Sequence, residues 1–213
     1  MGSHKKYLKF ILGSLNVEIP IIIEAGSGDN STGVFTNYSK NKKFTFYSFE
    51  NNKEWHKKMS KKFKNTNSKF IYLDDELYSE IRTHILNDGI EKIDLTFIDS
   101  GPWNSRTNVK NLLTDLSNIV CIHDADYFPH ANLWGNEIKP IKKRSKNKYF
   151  YGKLIKENLG LRNYDSEFTY WVEIFPSRPG YFTGPPLLVG SNFIDVRKIF
   201  NEGKPDGIYI FSQ

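Results

Sequence analysis

Apolar positions along the chain switch repeatedly between two periods. Continuous or alternating runs of β-branched and aromatic residues mark strands, and three-to-four-residue spacings mark helices. Tyr7, Leu8, Phe10, Ile11 and Leu15 predict a helix over Lys5–Asn16. Ile21, Ile22 and Ile23 follow as a β-branched run, so Pro20–Ala25 reads as a strand buried on both faces. Ser31–Lys40 reads as a short helix with Val34, Phe35 and Tyr38 inward. Lys43–Glu50 alternates aromatics with small polar residues and predicts a second strand. Lys53–Lys64 predicts a basic helix, with Trp55, Met59 and Phe63 as core contacts. Lys69–Asp74 is a third strand, and the helix Glu76–Asn87 carries Leu77, Ile81, Ile85 and Leu86 on one face before Gly89 stops it. Ile93–Asp99 is a fourth strand, Ser100–Thr107 a loop, Val109–Leu116 a helix and Ile119–His123 a fifth strand.

Such alternation predicts an α/β fold, a parallel sheet with helices on both faces. Right-handed crossovers then bring the carboxyl ends of the strands to one edge. The texture changes after Asp126. Residues 127–165, with Pro129, Pro140 and the basic run Lys139–Lys148, predict a partly irregular insertion on the substrate side. Phe168–Pro176 and Pro186–Ser191 predict an antiparallel hairpin around the turn-rich segment Ser177–Pro185. Ile194–Phe200 reads as a short helix, and Ile208–Phe211 either pairs or frays. No repeat or low-complexity linker divides the chain, so residues 1–213 read as one domain whose sheet has about seven strands.

Composition narrows this picture only a little. With 38% hydrophobic residues the chain is not of disordered type. A formal charge of +6 permits an anionic partner such as nucleic acid, but a solvated basic face explains it equally well. The lone cysteine, Cys121, allows neither an internal disulfide nor a Cys-rich zinc site. No apolar run is long enough for a membrane span and no leader is visible, so the expectation is a cytoplasmic protein without a membrane partner. Met1 to His4 read as a cloning remnant and are left out of the functional reading.

Chemistry gathers at the predicted strand ends. The first delivers Glu24, Gly26 and Gly28; the second Glu50; the third Asp74 and Asp75; the fourth Asp99; the fifth His123, Asp124 and Asp126. Open parallel sheets bind ligands at that edge, where strand order reverses. Gly26 and Gly28 let the backbone approach a ligand, and the following helix points free N–H groups at it. A dinucleotide fingerprint would have a third glycine where Ser31 stands. Carboxylates in this number repel a pyrophosphate and attract a sulfonium or amino group. Glu50 stands one strand–helix–strand step after the glycines, where an acid accepts ribose hydroxyls.

Glu24-Ala25-Gly26-Ser27-Gly28 resembles the E-x-G-x-G motif of class I S-adenosylmethionine-dependent methyltransferases. Glu50 and Asp74 match that family's acids after the second and third strands. Ile93–Pro102 (IDLTFIDSGP) resembles the fourth-strand motif of its small-molecule and sugar O-methyltransferases, with Ser100 inserted before Gly101. Ile119–Asp126 resembles the fifth-strand motif, and the resemblance spans about Ile21 to Asp126. It implies a Rossmann-like, doubly wound, mostly parallel sheet with a C-terminal antiparallel hairpin, and S-adenosyl-L-methionine as cofactor. In that picture Gly26 and Gly28 meet the methionine part, Glu50 holds the ribose, and Asp74 or Asp75 holds the adenine. Asp99 lies near the amino group or the reacting centre, and Asn30, Ser31, Asn51 and Ser100 complete the cofactor set.

The implied reaction is methyl transfer to a hydroxyl of a small molecule or carbohydrate. His123 is the candidate base, with Asp99 and Asp124 beside it; a loop-orienting histidine is the plain alternative. Asp99, Asp124 and Asp126 could instead hold magnesium or calcium, an option not favoured because Asp-Ala-Asp departs from the metal-dependent pattern. Trp103, Arg106, Asp126 and His130 are candidate substrate contacts, Trp103 by stacking and Arg106 by pairing an anion. The alternatives are a nucleic-acid methyltransferase and a non-catalytic S-adenosylmethionine-binding protein.

Overall fold

The computed structural model describes residues 4–38, 43–63, 68–125, 164–176 and 186–213. Five strands form parallel ladders: β1 (Ile21–Ala25), β2 (Thr45–Glu50), β3 (Ser68–Tyr72), β4 (Ile93–Ile98) and β5 (Ser117–His123). Three more, β6 (Tyr170–Pro176), β7 (Leu187–Ser191) and β8 (Gly207–Phe211), pair antiparallel with their neighbours. The sheet runs β3-β2-β1-β4-β5-β7-β6-β8. Sequence order reverses between β1 and β4, so a crevice opens above their carboxyl ends.

Period-two alternation splits the core into two layers. Ile22, Phe46, Leu95, Phe97 and Cys121 face one side and share a cluster with Leu8 and Ile11 of α1 (Lys5–Ser14) and Phe35 of α2 (Ser31–Tyr38). Ile23, Phe49, Ile98 and Ile122 face the other, with Ile81 and Ile85 of α4 (Ile81–Asn87) and Val109 and Leu113 of α5 (Trp103–Leu113). α3 (Lys53–Phe63) contacts β2 and β3, and a 3-10 helix (Val196–Phe200) packs under β6. Burial pushes the Cys121 thiol's pKa far up, so it behaves as a small apolar side chain.

The α/β fold expected from the alternation is observed, with the C-terminal antiparallel hairpin inserted so that β7 lies between β5 and β6. The sheet has eight strands rather than about seven, because Ile208–Phe211 pairs with β6 instead of fraying. α5 begins at Trp103, not Val109: Pro102 stands in the extended region as its cap, and Ser105 and Arg106 form its buried first turn. α4 begins at Ile81, not Glu76, and β3 stops at Tyr72. Between them Asp75 accepts the amides of Leu77, at 2.9 Å, and Ser79, which holds the chain in a turn before the helix. Leu77 and Leu86 consequently face solvent, while Ile81 and Ile85 are buried. Asp126, His130, most of the basic insertion and Ser177–Pro185 lie outside the described residues.

Candidate functional site

The turn after β1 is sewn to both neighbouring strands. Gly26 N donates to Phe49 O at 2.9 Å, and Asp99 N donates to Ala25 O at 2.9 Å. Gly26 has φ +84°, and a Cβ there would stand 2.6 Å from the Asp99 and Ser100 backbone. Only glycine meets both demands, the positive φ and the close approach. Ser27 is held on every side: its amide and hydroxyl donate to Glu50 Oε2 at 3.0 and 2.8 Å, and its carbonyl accepts from Trp55 Nε1 at 2.7 Å. Trp55 was expected as a core contact; its indole N–H instead pins the glycine turn.

Beneath this turn lies Glu24, fully buried. Its Oε2 accepts from Ser48 Oγ at 2.6 Å and Thr32 Oγ1 at 2.7 Å, and Thr32 in turn accepts from Gly28 N at 3.0 Å. Oε1 has no hydrogen-bond partner. Burial raises the Glu24 pKa to about 7. The neighbouring hydroxyls of Ser31, Ser48 and Thr32 ease this, and the negative charge of Asp99 adds to it. The Ser31 hydroxyl stands beside Glu24 without reaching hydrogen-bond geometry. A buried carboxylate with one unanswered oxygen and, among the described residues, no cation paired with it is costly to keep.

At the ends of β4 and β5 the charges answer one another. Arg106 Nη2 donates to Asp99 Oδ1 at 2.9 Å, its Nε to Ser100 O at 2.9 Å, and its Nη1 to His123 O. Asp124 Oδ2 is 3.8 Å from the same guanidinium, and the Trp103 ring lies 4.1 Å from its carbon. Asp99 Oδ1 also meets His123 Nδ1 at 3.1 Å. Burial alone would raise the Asp99 pKa, but the His123 hydrogen bond and the charges of His123 and Arg106 outweigh it and hold the carboxyl below its usual range. Burial alone would lower the His123 pKa; Asp99 and then Asp124 reverse that, so the imidazole holds its proton to higher pH than a free histidine. His4, read from sequence as part of a remnant, is buried with its ring 4.2 Å from that of His123.

Arg106 was expected to pair an anionic substrate. Its side chain is only 7% exposed and its donors are committed to the chain itself, so it is a strut between β4 and β5. Asp99, His123 and Asp124 offer ligand atoms within 4.8 Å of one another, the geometry a metal ion would need. The guanidinium already supplies positive charge to both carboxylates, so a divalent cation there would meet repulsion. That chemistry does not suit a metal.

The remaining candidates divide by exposure. Asn51 Nδ2 donates to Gly101 O at 2.9 Å, and Ser100 Oγ accepts from Ser105 Oγ at 2.7 Å, so both brace the strand-end loops. Asp74 is exposed and accepts from Tyr72 Oη at 2.9 Å. Gly28 borders the Ser31 hydroxyl, and Asn30 is exposed at the start of α2. Sequence reasoning missed Thr32, Ser48 and Trp55. Only Thr32 carried a signal, its four-residue spacing from Gly28 at a helix start.

The strand order, the reversal between β1 and β4 and the antiparallel end of the sheet define a Rossmann-like fold of the kind found in S-adenosylmethionine-dependent methyltransferases. No protein family and no curated protein sequence matches the chain. Among solved structures it is similar to a SAM-dependent methyltransferase from Anabaena variabilis, with TM-score 0.50 and 16% identity, covering 89% of this chain and 84% of that one. It is also similar to the spermidine synthase of Thermotoga maritima, with TM-score 0.52 and 14% identity over 96% of this chain and 67% of that one. A spermidine synthase in complex with the transition-state analogue AdoDATO gives TM-score 0.55 and 13% identity over 96% and 68%. The chain thus spans about two thirds of the spermidine synthases' length. At these identities the likeness is one of fold. Among the described residues, no helix is long and apolar enough to cross a membrane.

Proposed function

We propose that the crevice above β1 and β4 binds S-adenosyl-L-methionine and that the protein transfers its methyl group to a hydroxyl of a small molecule or carbohydrate. The observation that carries this reading is Glu24: buried, one oxygen unpartnered, directly under a glycine turn flanked by Glu50 and Asp99. Negative charge around a backbone cradle suits a ligand with sulfonium and ammonium groups. Glu50 receives the ribose, Gly26 and Gly28 border the methionine part, and His123 takes the acceptor's proton, with Asp99 holding the imidazole in place. Methyl transfer is an in-line displacement: the acceptor oxygen bonds to the methyl carbon, the sulfonium–carbon bond breaks, and the hydroxyl proton passes to His123.

Calorimetry with S-adenosylmethionine and S-adenosylhomocysteine tests the binding half. Micromolar to millimolar affinity is expected, and absence of heat with both at millimolar concentration refutes it. Glu50→Gln should weaken either ligand by about tenfold or more, because it removes an ionic acceptor. A second reading, alkyl transfer to an amine, draws on the likeness to spermidine synthases across 96% of the chain. The uncompensated Glu24 favours a cationic guest in either case. Mass spectrometry of products from hydroxyl and amine acceptors separates the two. With a hydroxyl acceptor the rate should rise with pH through a pKa above the ordinary histidine value, since only neutral His123 accepts a proton.

A further inference from the structure

The turn between β3 and α4 carries a feature that the proposed reaction does not use. Tyr78 has φ 59°, a conformation rare for a bulky side chain, and its ring is fully buried. Asp75 fixes that conformation by accepting the amides on either side of it, from Leu77 and Ser79. The ring belongs to the same apolar cluster as Ala25, Phe49 and Ile98, which stand at or next to the ends of β1, β2 and β4. Its hydroxyl is buried without a hydrogen-bond partner and feels the charges of Glu50, Glu24 and Asp99 from the ends of β2, β1 and β4. Burial and then the nearby charge of Glu50 raise its pKa strongly, with Glu24 and Asp99 adding to the effect, so it keeps its proton. The Asn51 amide lies close enough to ease that shift but not in hydrogen-bond geometry. A strained backbone that holds an unanswered polar atom among strand-end carboxylates is a mark of a ligand contact.

The acceptor capacity of Glu50 says which contact. A carboxylate has about four acceptor positions. Three are occupied, Oε2 by the Ser27 amide and hydroxyl and Oε1 by the Asn52 amide at 2.9 Å. One position remains for a ribose, which brings two hydroxyls. We infer that Tyr78 Oη is the second partner of that diol, so that Glu50 and Tyr78 together hold the ribose of the bound nucleoside. Asp75 then acts as a positioning residue, setting the Tyr78 backbone rather than meeting adenine itself. This assignment rests on the S-adenosyl reading of the crevice.

The test compares wild type and Tyr78→Phe by calorimetry with S-adenosylhomocysteine and with its 2′-deoxy and 3′-deoxy analogues. The variant should bind the ribose ligand about three- to tenfold more weakly, the worth of one hydrogen bond. One of the deoxy analogues should bind both proteins equally. The thermal midpoint of the ligand-free variant should hold or rise, because phenylalanine removes a buried unsatisfied hydroxyl. Equal affinity of the two proteins for S-adenosylhomocysteine overturns the assignment while leaving the cofactor reading intact. A lowered midpoint together with equal losses for all three ligands also overturns it, since that is the behaviour of a structural tyrosine. Failure of wild type to bind S-adenosylhomocysteine at all refutes the cofactor reading first.

Discussion

Arg106→Ala is expected to cost about 3–5 kcal/mol of folding stability, measured by denaturant unfolding. The guanidinium serves two strand ends at once. It donates to Asp99 and to the carbonyls of Ser100 and His123, it lies beside Asp124, and Trp103 stacks on it. Removing it leaves the largely buried Asp99 carboxylate with His123 alone against it and takes this donor from two carbonyls. Taking one partner out of a buried charge cluster costs more than that pair contributed. Arg106→Lys should recover only part of the loss, because a point ammonium cannot span Asp99, Ser100 and His123 in one plane. A stability within 1 kcal/mol of wild type would show that Arg106 is not the strut between β4 and β5.

The second large effect is on pH dependence. Glu24 has a folded-state pKa of about 7 against 4.5 for an unhindered glutamate. The folded protein thus holds this proton more tightly than the unfolded chain. Below the unfolded value both states are protonated and the group is neutral in its effect. As pH rises from about 4.5 to 7 the unfolded chain releases the proton first, so the ligand-free protein loses stability on the order of 3 kcal/mol from this group and then levels off. Glu24→Gln should flatten that part of the profile, read as urea midpoints at several pH values. An unchanged slope in the variant would mean that Glu24 ionises normally in the folded state. If the crevice takes a cationic ligand, binding near pH 6 should also release a proton, visible as a buffer-dependent heat.

Much of the scaffold was legible because short-range patterns encode it. Ile21–Ile23 announces a doubly buried strand, and the alternation of Lys43–Glu50 gives β2 its two faces. Polar groups at the ends of successive strands followed from right-handed crossovers. What each of those groups does was not legible, because its partner comes from a distant part of the chain. Asp74 and Asp75 are neighbours in sequence, yet one is exposed beside Tyr72 and the other clamps the turn around Tyr78. Arg106 reads as a free cation in a loop until the helix starting at Trp103 turns it towards β5. Trp55 and Ser48 become visible as parts of the crevice only when Ser27 and Glu24 lie against them.

The contact of Gly26 with the Asp99–Ser100 backbone locks β1 against β4 at their carboxyl ends. Parting β1 from β4 would break the bond from Asp99 N to Ala25 O and pull apart main chains that touch with no side chain between them. The floor of the crevice is therefore rigid masonry, not a hinge. A guest held there would rest on a fixed floor, and whatever admits it would lie above the strand ends.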